Sequence, residues 1–126
     1  MVPSVDSPRI CAFVVGIDKY DKVSCLKNAV GDARKVEQAL RKVKVERVTS
    51  ASNCTYKQLT DSTNQYLSKL RKGDVALVYL AAHAVKYRNQ NVVLTRTSDE
   101  TNLAHTSLRV PLLLLRYDVL RAHISI

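Results

Sequence analysis

Few side chains in this sequence combine a reactive type with a telling place. His83 lies in LVYLAAHAVKY (Leu77 to Tyr87), a run otherwise made mainly of Leu, Val and Ala. An imidazole there is either a hydrogen-bonded core residue or an acid–base group that a strand delivers to a site. Asp32 lies in NAVGDARKVEQALRKVKV, where the first turn of a helix favours a carboxylate. Cys11, Cys25 and Cys54 are the thiols. An odd number at irregular spacing makes no disulfide framework, and without a CxxC pair there is no metal site.

These groups need elements to hold them. ICAFVVGI (Ile10 to Ile17) is a continuous, β-branched apolar run that reads as a strand buried on both faces. After a loop from Asp18 to Lys27, Asn28 is a plausible N-cap for a helix. Ala29, Ala33, Val36, Leu40 and Val43 give that helix one apolar face. A short strand near Val45 to Thr49 follows. Thr55 and Gln58 form a capping box for a second helix lined by Leu59, Thr63, Tyr66 and Leu70 and closed by Lys69, Arg71, Lys72 and Gly73. DVALVYLAA is a third strand and NVVLTR (Asn91 to Arg96) a shorter fourth, an extension or hairpin partner. VPLLLLRYDVLRAHIS reads as a last helix with Pro111 near its start.

Alternation of this kind predicts an α/β three-layer sandwich with a mostly parallel sheet and right-handed crossovers. Function in such sheets gathers at the carboxyl ends of the strands. The loop from Asp18 to Lys27, the helix start at Asp32 and the strand end at His83 all fall there. No GxGxxG or P-loop follows any strand, so nucleotide binding has no support.

The 126 residues make one domain or part of one, with 46% hydrophobic and 25% charged residues. Residues 1–9, polar with two prolines, read as a disordered lead to a domain over residues 10–126. No targeting segment or membrane span is evident, so the expected location is cytoplasmic. The net charge of +9 is spread along the chain with no nucleic-acid-binding motif, which favours a solvated surface over a nucleic-acid partner.

FVVGIDKY, CLKNAVGDARKVEQALRKV, KLRKGDVALVYLAAHAV and NVVL, in that order, resemble the first part of the caspase-like cysteine peptidases, over about Ile10 to Leu94. The acid at Asp32 is closer to the metacaspase and paracaspase branch. The resemblance implies roles for matching positions. His83 aligns with the catalytic histidine of a cysteine–histidine dyad. Ala84 takes the position whose backbone N–H serves the oxyanion hole. Asp32 aligns with the acid of the primary specificity pocket, which would hold Arg or Lys of a peptide or protein substrate. No cofactor is implied. Family members usually have Gly-His-Gly where this chain has Ala82-His83-Ala84.

The family's nucleophile lies on a further strand, in a stretch like Asp-Ala-Cys-Arg, expected after the helix from Leu112 to Arg121. None of the three cysteines occupies that position, so the domain is expected to be incomplete at its C-terminus. Cys25, in the loop after the first strand, is the one thiol on the right edge. The functional expectation is a cysteine endopeptidase domain, inactive as this chain. The alternative is a non-catalytic homologue that regulates or scaffolds an active relative. Homo- or heterodimerisation with a caspase-like chain is expected in either case.

Overall fold

In a computed structural model, residues 8–109 and 119–125 are described. Four parallel strands form the main sheet in the order β2-β1-β3-β7: β1 (Ile10–Gly16), β2 (Arg47–Ser52), β3 (Val75–Ala81) and β7 (Val119–Ser125). Six of the seven β1 residues are buried, as a central strand covered on both faces requires. Side chains alternate across it. Cys11, Phe13 and Val15 share one core with Leu59, Tyr66 and Leu67 of α2 (Tyr56–Ser68). Phe13 and Tyr66 stack at 5.0 Å, and the Tyr66 hydroxyl donates to the Cys11 carbonyl at 2.8 Å. The opposite face, with Ala12, Val14 and Gly16, lies under α1 (Ala29–Arg41). The three layers are thus α1, sheet and α2.

A second, antiparallel sheet has the order β4-β5-β6: β4 (Ala84–Tyr87), β5 (Gln90–Leu94) and β6 (Ser107–Arg109). NVVL is therefore a hairpin partner rather than an extension. The hairpin turns on Arg88 and Asn89, both at positive φ (51° and 62°), as a two-residue type I′ turn demands. Between β5 and β6 run a 3₁₀ turn (Glu100–Asn102) and the short α3 (Leu103–Thr106).

Several local expectations change. The last helix was read through residue 125, but residues 119–125 form β7. Without β7, β3 would present an unpaired edge of N–H and C=O groups, and that tertiary demand outweighs the helical pattern. Pro111 and the Leu112–Leu115 run lie outside the described residues. Asn28 precedes α1 but its side chain makes no cap bond. Asp18 does so from the loop after β1, its Oδ2 accepting from Val30 N–H at 3.0 Å. α2 does carry the Thr55–Gln58 capping box but ends at Ser68, so Arg71, Lys72 and Gly73 fall in the turn into β3, where Gly73 has φ 89°. Val43 lies past the end of α1 and is 60% exposed. Arg9, grouped with the lead, forks onto Asp74 at 2.9 and 2.6 Å.

Candidate active site

β1 and β3 both point their carboxyl ends at the loop of residues 18–27. That loop is fixed from several sides. Asn53, at φ 49°, accepts from Asp18 and Lys19 N–H at 3.0 and 3.1 Å. Leu26 N–H donates to Asp18 O at 2.9 Å, Asp21 N–H to Arg96 O at 3.0 Å, and Lys22 pairs with Asp99 at 3.0 Å.

His83 follows β3 by two residues and is half-buried. Its backbone N–H donates to the Tyr20 hydroxyl at 2.9 Å, and that hydroxyl donates to Ile17 O at 2.9 Å. The Tyr20 ring packs on the imidazole at 4.9 Å and 49°. His83 Nε2 lies 2.8 Å from Ser24 O. A carbonyl only accepts, so Nε2 is the donor, and in the neutral tautomer that bond leaves the lone pair on Nδ1. The ring is thus held on one side by the Ser24 carbonyl and on its face by Tyr20.

Ala84 opens β4. Leu94 N–H donates to His83 O at 2.9 Å, which marks 83 and 94 as a bonded pair. Bonded and non-bonded pairs alternate in an antiparallel ladder. Ala84, opposite Val93, falls on a non-bonded pair, and its N–H points away from β5.

Asp32 is exposed, one turn into α1. Close approach of α1 to Gly16 brings that turn over the carboxyl half of the sheet. There its charge reaches Tyr79 of β3, whose phenol is pushed up by burial first and by Asp32 second. Asp32 and His83 thus lie toward the same end of the sheet. Cys11 lies at the other end, near Asp74.

Cys25 follows Ser24 directly but is held by its own loop. Its thiol accepts from Tyr20 N–H at 3.5 Å and donates to Tyr20 O at 3.7 Å. Burial pushes the Cys11 and Cys54 thiols up, which keeps them protonated at neutral pH. The sheet position beside β3 is filled by β7, which pairs Ala81 with Ser125 and contains no cysteine.

Sequence reasoning missed Tyr20, the Ser24 carbonyl and Asp18. The only signal was the polar turn after ICAFVVGI, which marks a strand end without saying where its side chains go.

Among the described residues no three His, Cys, Asp or Glu side chains gather to hold a metal ion. Also among them, no helix is long and apolar enough to cross a membrane.

The α/β architecture, a mostly parallel sheet between helices, is that of the caspase-like class of proteins. The family model of the caspase domain, peptidase family C14, matches residues 9–118, and the chain belongs to that family. The family is one of cysteine proteases, hydrolases whose substrates are proteins. The matched segment stops just before β7. No curated protein matches the chain.

Proposed function

We propose that this is a caspase-like endopeptidase domain of the metacaspase and paracaspase kind, built to cleave after Arg or Lys and inactive as this chain. The observation that carries the reading is the His83 imidazole, held through Nε2 by Ser24 O so that Nδ1 is the free base. In the completed reaction Nδ1 takes the proton of a cysteine thiol. The thiolate attacks the scissile carbonyl, and the Ala84 N–H, directed away from β5, donates to the developing oxyanion. The imidazolium then protonates the leaving amine, and water hydrolyses the acyl-enzyme. Asp32, exposed over the sheet, would pair with the guanidinium or ammonium of the residue before the scissile bond.

A second reading has its own observation. β7 occupies the place beside β3 without a cysteine, which suits a homologue that regulates or scaffolds an active relative. A cytoplasmic setting is proposed for either reading.

The register supplies a test. β7 runs beside β3 up to Ser125, opposite Ala81 and two residues short of His83, so a cysteine appended directly after Ile126 probes reach to that imidazole. The unaltered chain should leave Arg, Lys and Asp reporter peptides uncut. A cysteine appended after Ile126 should react with a disulfide reagent at neutral pH at least ~10-fold faster in the parent than in His83→Ala. Equal rates in the two backgrounds, or peptide cleavage by the unaltered chain that Cys25→Ala abolishes, would refute the assignment.

A further inference from the structure

The parallel ladder between β1 and β3 is interrupted at the site by a side chain. Ile17 N–H donates to Ala81 O at 2.9 Å, one step beyond the last paired residues, Gly16 and Ala81. A residue in a parallel ladder bonds to the residues on either side of its partner. The next rung would therefore run from His83 N–H directly to Ile17 O. The Tyr20 hydroxyl stands between them instead, accepting from His83 N–H and donating to Ile17 O, both at 2.9 Å. The phenol is 6% exposed, and burial pushes its pKa up to about 12, so it stays a two-way hydrogen-bonding group throughout the neutral range.

We infer that Tyr20 is a positioning residue: its hydroxyl wedges the ends of β1 and β3 apart and sets the path of the chain at His83. With one hydroxyl inserted, the strands stay bonded but separate by the depth of an oxygen atom. The same backbone step carries the imidazole to Ser24 O and turns Ala84 into β4. The Tyr20 ring, packed on the imidazole, blocks its rotation back toward β1. A direct rung would draw His83 into the sheet and away from the Ser24 carbonyl. The inference rests on the reading of His83 as the base, but the wedge itself is measurable without any peptidase activity.

The test uses the full chain labelled with ¹⁵N. In the parent, the two ring nitrogens of His83 should report one tautomer, protonated at Nε2. Tyr20→Phe keeps the ring and removes only the hydroxyl. The variant should show mixed tautomers, and its His83 amide should exchange about tenfold faster, while amides in the middle of β1 and β3 stay protected. An unchanged tautomer and unchanged amide exchange in a folded Tyr20→Phe would overturn the inference.

If that variant does not fold, fluorotyrosine at position 20 keeps the hydroxyl but makes it a stronger donor and a weaker acceptor. The His83 amide proton should then move upfield, and an amide indifferent to fluorination would overturn the wedge. A tautomer that shifts in Tyr20→Phe, beside an appended cysteine that ignores His83, keeps the wedge and discards the peptidase reading. The reverse pattern discards the wedge alone.

Discussion

Two glycines in one region of the chain should respond to alanine with opposite signs. A Cβ on Gly16 would lie 2.8 Å from Ala29 O, 2.8 Å from Ala33 Cβ and 3.0 Å from Val30 Cα. Two of these are backbone atoms in the first turn of α1, so no side-chain rotation relieves the contact. The helix must lift off β1 by several tenths of an ångström. Overpacking of this kind costs about 1–3 kcal/mol. Gly31, on the solvent side of the same helix, has nothing within 4 Å of its missing Cβ and no positive φ. Alanine there removes unfolded-state freedom and favours the helix, which should stabilise by about 0.5–1 kcal/mol. For a chain of this size, each kcal/mol moves Tm by roughly 3–5 °C. Gly16→Ala should therefore melt about 3–15 °C lower, and Gly31→Ala about 2–5 °C higher, in calorimetry at equal concentration. A Gly16→Ala chain melting with the parent would refute the close packing of α1 on β1, and with it the placement of Asp32 over the sheet.

Further outcomes follow from other contacts. Arg9, and the Arg71 N–H to a lesser degree, hold the Asp74 carboxyl at about 2 against an ordinary 3.8. A carboxylate depressed on folding stabilises above the higher value and loses that contribution as pH falls toward the lower. Urea melts between pH 5 and pH 2 should show stability dropping below about pH 4, and Asp74→Asn should flatten that slope. Tyr66→Phe keeps the stack on Phe13 but removes the second hydrogen bond to the Cys11 carbonyl, which the β1–β3 ladder still holds, and should cost about 0.5–1.5 kcal/mol by denaturant titration. In a catalytically complete version, Asp32→Ala should lose cleavage after Arg by several orders of magnitude with its melting little changed. A variant that melts about 1 kcal/mol earlier yet still cleaves after Arg would reduce Asp32 to a helix-dipole residue.

Local patterns were legible in the sequence, and relations between distant segments were not. ICAFVVGI announced a doubly covered strand because burial on both faces leaves no polar alternation. DVALVYLAA was legible as a strand ending within a residue of the end of β3, at Ala81, and alternating elements put Asp32 and His83 at one end of a parallel sheet. β7 was missed because Leu112–Leu115 suggests a helix locally, whereas the open edge of β3 belongs to another part of the chain. The α1 cap was assigned to its neighbour Asn28 when Asp18 supplies it across the loop. The β4–β5 turn lacks the glycine that usually announces a type I′ hairpin, so Arg88-Asn89 gave no signal. The Tyr20 contacts depend on where a phenol points after two strands have docked, which no spacing encodes.

The strand order β2-β1-β3-β7 also dictates a sequence of events in time. The first strand made is one of the two central strands, and each pairing in the main sheet spans a whole crossover segment. Nothing in that sheet can form from neighbouring residues alone, whereas α1, α2 and the β4–β5 hairpin can. During synthesis β1 has no partner until β2 and then β3 arrive, and β3 keeps a bare edge until β7, the last element described, has left the ribosome. A nascent chain halted before β7 would expose that edge to neighbouring chains. The period of greatest aggregation risk therefore runs from the emergence of β3 to the emergence of β7.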